Sequence, residues 1–163
     1  MTVRGVLRIG LCILAATSAL VGVWALPAPR AFYDGFPSTG HAWVALLPPY
    51  NEHLVRDVGA FSLALTVMLG AAVVWPERRL VRISLVATGV FAVPHAVFHA
   101  THLAGFPPVD AVGQTVGILG QLLLILGLVA LTWWLPGGRA DVPGGGGGAP
   151  RVRGADDVTF YEE

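Results

Sequence analysis

Four long segments of the chain contain almost no charged residues, and this feature restricts the possible fold more than any other. Their expected boundaries are residues 9–26, 56–75, 80–103 and 111–134. A helix needs about 20 mostly apolar residues to cross the hydrocarbon core of a bilayer, and proline or glycine follows each run as a stop signal. We therefore predict an all-α fold, an integral membrane four-helix bundle formed by residues 1–136.

The overall composition supports a protein whose main partner is the lipid bilayer. Only 12% of the 163 residues are charged, whereas a soluble domain carries about 25%. The formal net charge is zero, so nothing in the composition favours a nucleic acid as a partner. The single cysteine, Cys12, lies in the first apolar segment, where it is expected to pack as a small residue.

Arginine positions predict the orientation of the four spans. Eight of the ten basic residues would lie on one side of the membrane: Arg4, Arg8, Arg78, Arg79, Arg82, Arg139, Arg151 and Arg153. Only Arg30 and Arg56 would lie on the other side. The positive-inside rule therefore predicts cytoplasmic N- and C-termini. The first apolar segment is longer than the apolar centre of a signal peptide, about 7–15 residues, so we expect it to be retained as a membrane anchor.

Residues 137–163 differ in composition from the rest of the chain. They contain the glycine run Gly144–Gly148, three arginines and several acidic residues, without a periodic apolar face. Glycine-rich polar segments cannot bury enough apolar surface to fold on their own. We predict a disordered cytoplasmic tail, and a solvated linker is favoured over a partner-binding segment.

Three histidines near the end of the third span form the most distinctive polar pattern. His95, His99 and His102 follow the spacing i, i+4, i+7, which places them within about 60° of one another on one helix face. Two histidines one turn apart can chelate a transition metal. The alternative is that these histidines are interfacial groups, or that they hydrogen bond to neighbouring helices.

A second polar cluster precedes the second span. It consists of Tyr50, Asn51, Glu52, His53, Arg56 and Asp57. Asn51 is a good N-cap, and Glu52 suits the first turn of a helix and is spaced to pair with Arg56. A cap and a local ion pair explain these residues, but they leave His53 and Asp57 without a role. Asp57 borders an apolar span and needs a partner.

The two clusters are expected to lie at the same height, because consecutive spans joined by a short loop pack antiparallel. The predicted ligand set for a metal ion is His95, His99, His102, His53, Glu52 and Asp57. Imidazole and carboxylate groups suit zinc, iron or manganese. The same groups could instead pass protons, or two histidines from different helices could ligate a haem.

The remaining polar features lie in the first long loop and in the fourth span. The loop from Pro27 to Pro49 is long and aromatic, which predicts either a segment that covers the histidines or an interfacial anchor. Gln114 and Gln121 lie seven residues apart, on one face of the fourth span. They are expected to hydrogen bond across helices within the bundle or at a dimer seam.

Three stretches carry a family resemblance: Phe32–Pro37, Pro49–Gly59 and Pro94–Leu103. With these motifs, residues 5–135 resemble an uncharacterised family of four-span membrane proteins from actinobacteria, and Asn51–Asp57 is the most specific part. In architecture alone, the chain is also similar to the DoxX-type membrane proteins. The resemblance implies a location in the bacterial plasma membrane, and it supplies no substrate.

Three functional interpretations follow from these patterns. The favoured one is a polar His/Glu/Asp/Arg site near the outer leaflet that binds a metal, haem or a quinone-like redox partner. The second is a non-catalytic membrane subunit or assembly factor whose polar groups pair with one another and with a membrane protein partner. The third is a small transporter that works as a homo-oligomer, although four spans are few for a transporter and no acidic residue lies in the centre of a span.

Overall fold

Helices make up most of the computed structural model, which describes residues 2–47 and 49–135. The elements are α1 (Val3–Ala25), α2 (Pro29–Gly35), β1 (Pro37–Ser38), β2 (His41–Ala42), α3 (Glu52–Val74), α4 (Arg78–Thr101) and α5 (Pro108–Leu131), followed by a 3-10 turn (Thr132–Trp134). The predicted all-α bundle is confirmed, with one very short β-hairpin in addition. The tail predicted for residues 137–163 lies outside the described residues.

Four helices are long and apolar enough to cross a membrane. They cover Val3–Ala25, Glu52–Val74, Arg78–Thr101 and Pro108–Trp134. At 1.5 Å per residue, a helix of 23 residues is about 35 Å long, which exceeds the hydrocarbon thickness of about 30 Å. Large apolar side chains such as Val67 and Val90 are exposed on the outside of the bundle. These features indicate a multi-pass membrane protein in contact with lipid.

Side-chain N-caps fix where α1 and α3 begin, and both helices start before their apolar segments. The Asn51 side chain accepts a hydrogen bond from the Leu54 backbone N–H at 3.1 Å, as the sequence predicts. Thr2 caps α1 in the same way, accepting from the Gly5 N–H at 3.2 Å. Because each cap satisfies a backbone donor that the helix itself cannot pair, both helices begin several residues before their apolar segments.

The closest helix pair is α1 with α3, and two glycines make this approach possible. A Cβ atom at Gly59 would lie 2.6 Å from the backbone nitrogen of Leu26, and one at Gly22 would lie 2.7 Å from the Leu63 side chain. α4 packs against α3 and α5 and completes the bundle. α1 meets α5 where Gly10 packs against Leu128.

Arginines close one end of the bundle, which we call the arginine end. Arg78 donates hydrogen bonds to the carbonyl oxygens of Thr132 and Trp133 at 2.9 and 2.8 Å. Arg82 donates to the Thr132 hydroxyl at 2.8 Å and lies over the Trp133 ring. The free carbonyls and negative dipole at the C-terminus of α5 explain this arrangement. The core beside it is filled by leucines, including Leu11 and Leu69.

The opposite end, which we call the hairpin end, carries α2 and the β-hairpin. Ser38 pairs with His41, and Pro37 pairs with Ala42. The two-residue loop between the strands contains Gly40 with φ of 89°, a conformation that favours glycine in tight hairpin turns. The turn therefore fixes the position of His41. Strands of two residues leave no periodic pattern in the sequence, so the hairpin was not predicted.

Candidate functional site

A cavity of about 520 Å³ lies in the half of the bundle nearest the hairpin end. Residues of α1, α3, α4 and α5 line it, and the connection from α1 to α3 covers it. Small residues create the space, since Ser18, Ser62 and Gly117 contribute to its wall. The other half of the bundle has leucines at its core instead. The two halves therefore differ at their centres, one with a filled leucine core and one that is hollow, and a more open groove of about 390 Å³ lies on the surface of the filled half between α1 and α5.

The cavity is apolar, with a few polar side chains. No aspartate, glutamate, lysine or arginine belongs to its lining within the described part of the chain. Aromatic rings contribute to the wall beside aliphatic side chains, including those of Phe32, Phe36, Trp43, Phe91 and Phe98. Pockets of this composition and of roughly 300–1,000 Å³ suit small neutral ligands held by a few well-placed hydrogen bonds.

The cavity opens sideways between two helices. Leu20 on α1 and Gly117 on α5 both line the cavity, and both are exposed on the surface of the bundle. α1 and α5 pack at the arginine end, through Gly10 and Leu128, and make little contact elsewhere. The gap between them is therefore one side on which the cavity meets the surface of the bundle, and Leu54 on α3 and Phe98 on α4 are likewise exposed lining residues.

His95 and His99 are the two members of the predicted ligand set that line the cavity. Their ring centroids are 4.4 Å apart, and His95 stacks on Phe91 at 5.2 Å. Their spacing of one helical turn brings both rings to the same face of α4, as the sequence predicts. The Nδ1 atom of His99 is buried and has no hydrogen-bond partner among the described residues.

His102 is separated from this pair. Its ring stacks on Phe98 with centroids 4.0 Å apart, and its Nδ1 lies 2.7 Å from the Phe98 carbonyl oxygen. α4 ends at Thr101, so His102 leaves the helical face that carries His95 and His99. It is exposed and takes no part in lining the cavity.

Four residues of the second predicted cluster stay on the outer surface of α3, namely Glu52, His53, Arg56 and Asp57, whereas Asn51 lines the cavity. His53 Nε2 lies 3.4 Å from Asp57 Oδ2, with side chains 87% and 61% exposed. Val55 and Ser62 face the core of the bundle. At 100° per residue, His53 and Asp57 each lie about 160° away from Val55 around the helix. The expected meeting of these residues with the histidines of α4 is therefore not formed.

Glu52 and Arg56 form the local ion pair that the sequence suggests, with Arg56 Nη2 and Glu52 Oε1 2.8 Å apart. Arg56 also donates a hydrogen bond to the carbonyl oxygen of Leu26. This bond joins the start of α3 to the end of α1, so the pair has a clear structural role. Both residues lie on the exposed surface rather than in the cavity.

The described residues contain no group of three or more His, Cys, Asp or Glu side chains arranged to hold a metal ion. The six-residue ligand set predicted from the sequence is thus divided into a histidine pair inside and two surface pairs outside. Ligation of one haem by histidines from two helices would need a cavity histidine outside α4. Among the described residues, both cavity histidines belong to α4. Metal binding by His95 and His99 stays a prediction.

Tyr50 packs beside the cavity rather than within it. Its ring lies 5.2 Å from that of Tyr33, and the Arg30 guanidinium lies 5.0 Å from the Tyr50 centroid. Arg30 in turn bonds Asp34 at 2.6 Å. Burial raises the pKa of Tyr50 above its ordinary value, because the phenolate is disfavoured there. Tyr50 therefore acts as a neutral aromatic group that orders this loop.

Gln114 is the main cavity residue whose role the sequence did not reveal. Its side chain is 2% exposed and lines the cavity, and neither its amide nitrogen nor its amide oxygen has a hydrogen-bond partner among the described residues. The side chain of His99 on α4 lies close enough to interact with Gln114 across the helices, as expected, although no hydrogen bond of regular geometry joins the two. The seven-residue spacing of the two glutamines predicts which face of α5 they share. It does not predict that this face borders a cavity.

Asp110 is a second buried polar residue whose position no sequence pattern predicts. It is 5% exposed, and its Oδ1 accepts a hydrogen bond from Trp43 Nε1 at 2.8 Å and lies 2.6 Å from His41 Nδ1. In sequence, Asp110 looks like an ordinary acidic residue of a first helical turn. Its partners lie about 70 positions earlier, and no local pattern links them.

Comparison with models of protein families, with curated proteins and with solved structures finds no match to this chain. The resemblance to the actinobacterial four-span family therefore stays a prediction, as does the architectural likeness to DoxX-type proteins. The function is therefore inferred from the geometry of the cavity and of the residues that line and cover it.

Proposed function

We propose that this is a bacterial plasma-membrane protein that binds a neutral, amphipathic, quinone-like molecule in the cavity. In this proposal the hairpin end faces the outside, and the N- and C-termini are cytoplasmic. The arginine distribution supports this orientation, since Arg78 and Arg82 lie at the arginine end and the positive-inside rule places such residues in the cytoplasm. The cavity then lies in the outer half of the membrane.

The observation that carries the proposal is the set of unpaired polar atoms in the cavity wall. The Gln114 amide and His99 Nδ1 are buried near each other, and neither makes a hydrogen bond of regular geometry to the described residues. Leaving such a group unsatisfied costs about 1–3 kcal/mol, so a ligand that pairs with them gains binding energy. Gln114 offers both a donor and an acceptor. A head group that carries carbonyl and hydroxyl oxygens would match both atoms.

The chemistry of the lining favours a neutral head group over a charged one. A phosphate or carboxylate would lose its hydration in the cavity and would find no lysine or arginine among the described lining residues, which makes its burial costly. A flat ring can pack between aromatic side chains such as Phe91 and Phe98. The sideways opening between α1 and α5 leaves room for an apolar tail to extend into lipid.

A transition metal is a second candidate ligand, because His95 and His99 lie side by side with ring centroids 4.4 Å apart. Neutral imidazoles one helical turn apart can supply two ligands to zinc or iron. The remaining positions would then be filled by water or by oxygen atoms of the bound molecule. This candidate and the neutral amphiphile share the same histidines, and a metal measurement separates them.

The test is to purify the protein without a histidine tag and to measure what it binds. Bound lipids and quinones would be extracted and identified by mass spectrometry, and metals measured in the same sample. A short-chain benzoquinone would then be titrated while tryptophan fluorescence is followed, with a lysophosphatidic acid as the charged comparison. We expect saturable quenching by the quinone and none by the charged lipid.

The matched variants are His99→Ala and His102→Ala, since the two histidines lie close in sequence and only the first lines the cavity. We expect His99→Ala to weaken quinone binding by about tenfold, which is the loss of one hydrogen bond of about 1.4 kcal/mol. His102→Ala should bind like the unaltered protein. Equal binding by both variants, or no saturable binding at all, would rule the proposal out.

A further inference from the structure

The connection between α1 and α3 forms a cover over the cavity, and we call residues 27–47 the lid. Side chains of the lid that face the cavity are Phe32, Tyr33, Phe36, Trp43, Val44 and Leu47. One part of the lid is fixed by ring contacts with α1, since Phe32 lies 5.7 Å from Trp24. The hairpin part reaches across to α5, on the other side of the cavity.

Asp110 is the point at which the hairpin part of the lid is attached to α5. Its Oδ1 atom accepts the Trp43 indole N–H at 2.8 Å and lies 2.6 Å from His41 Nδ1. The Trp43 ring packs against Gly113, where an added Cβ atom would lie 3.3 Å from the ring. One buried carboxylate thus holds two side chains of the lid, and we call these three residues the latch.

The latch is directly connected with the ligand contacts of the cavity. Asp110 and Gln114 are four residues apart and lie on the same face of α5, about 6 Å from each other along the helix axis. Trp43 belongs to both groups, because its indole nitrogen bonds Asp110 while the residue lines the cavity. A movement that breaks the Asp110 bonds would therefore also withdraw part of the cavity wall.

We propose that His41, Trp43 and Asp110 form a latch that keeps the lid closed, and that its release opens the cavity to the aqueous phase at the hairpin end. The bonds meet at a single carboxylate, so one change releases both lid residues. His41 is partly exposed, which gives water direct access to the latch. The latch deepens the proposed function. Its role in ligand exchange rests on that function, whereas its control of lid opening does not.

The proposal is tested by the accessibility of a cysteine inside the cavity. In a Cys12→Ala background, Ser62→Cys places a thiol in the wall, since Ser62 lines the cavity and is 4% exposed. The protein in lipid nanodiscs is treated with a charged, water-soluble thiosulfonate, and the labelling rate is measured. Asp110→Asn and His41→Gln are then added separately to weaken the latch.

The matched control is Asp34→Asn, which makes the same chemical change within the lid. Asp34 pairs with Arg30 at 2.6 Å on the exposed surface and has no bond to α5 among the described contacts. We expect Asp110→Asn to raise the labelling rate at least about tenfold, because hydrogen bonds to a buried charge are among the stronger ones. His41→Gln should raise it less, and Asp34→Asn should leave it unchanged.

Two results would overturn the latch. One is an equal labelling rate in all variants, and the other is an increase with Asp34→Asn as large as with Asp110→Asn, which would indicate general loosening of the lid. His41→Gln alters a partly exposed side chain, so it keeps the test decisive if Asp110→Asn does not fold. Faster labelling without quinone binding in any variant would support the latch and remove the proposed function.

Discussion

At the scale of single residues, the cavity holds polar atoms that the surrounding helices leave unpaired. The Gln114 amide and His99 Nδ1 are buried near each other without a hydrogen bond of regular geometry to the described residues. Replacing an unsatisfied buried polar group by an apolar one of similar shape is neutral or stabilising. A polar residue in such a place is most simply explained by what it binds.

Gln114→Leu should therefore separate stability from binding. We expect the ligand-free variant to unfold at the same temperature as the unaltered protein or higher, with a gain of up to about 1–3 kcal/mol. Quinone binding should be lost in the same variant. Thermal unfolding in detergent and the fluorescence titration measure the two effects. A marked loss of stability would contradict the assignment of Gln114 as unpaired.

Local sequence patterns identified some of these residues and not others. His95 and His99 were found because helical spacing alone places them together. Asn51 was found because capping is a local property. The contact of Asp110 with Trp43 and His41 joins positions 67 and 69 residues apart, and it depends on how the lid folds over the bundle. The burial of Gln114 depends in the same way on neighbours from other helices.

At the scale of elements, the α1–α3 pair is the most tightly packed part of the bundle. Gly22 and Gly59 bring the two backbones together, and small residues at such positions are typical of helix pairs in membranes. The bond from Arg56 to the carbonyl oxygen of Leu26 closes the same pair at the hairpin end. The rotation of α3 that this packing requires directs His53 and Asp57 away from the cavity.

Two glycines on α3 provide a matched test of this packing. A Cβ atom at Gly59 would lie 2.6 Å from a backbone nitrogen of α1, whereas a Cβ atom at Gly70 would meet nothing within 4 Å. We expect Gly59→Ala to destabilise the protein by about 1–3 kcal/mol through overpacking. Gly70→Ala should be neutral or stabilising by up to about 1 kcal/mol, since alanine favours helix.

Unfolding of both glycine variants in mixed micelles of increasing denaturing detergent measures the difference. Similar stability of the two would mean that α1 and α3 are not in close contact at Gly59.

The four spans themselves were predictable because the bilayer requires an apolar length that any sequence must show. The rotation of each span was not predictable, because hydropathy is nearly uniform around these helices and packing alone decides which face turns inward.

At the scale of the whole molecule, the bundle is filled at the arginine end and hollow toward the hairpin end. The leucine core and the Arg78 and Arg82 bonds to the end of α5 lie in the filled half. The cavity, the lid and the latch lie in the hollow half. The close contact of α1 with α3 at Gly22 and Gly59 also lies in the hollow half, so this half contributes to stability as well as to binding.

The proposed orientation makes a prediction for the intact cell. In a Cys12→Ala background, Thr39→Cys in the hairpin loop should react with a membrane-impermeant maleimide added to whole cells. Thr159→Cys should react only after the cells are permeabilised, because the positive-inside rule places the C-terminus in the cytoplasm. The reverse pattern of labelling would invert the topology and would place the cavity in the inner half of the membrane.

The sideways opening between α1 and α5 changes how occupancy of the cavity should be described. A ligand that reaches Gly117 and Leu20 through the lipid arrives from a two-dimensional reservoir, in which an apolar molecule is strongly concentrated relative to water. Occupancy then follows the mole fraction of the ligand among the lipids rather than its total concentration in the suspension. Dilution of the protein with added bilayer should empty the cavity, whereas dilution with buffer should leave it full.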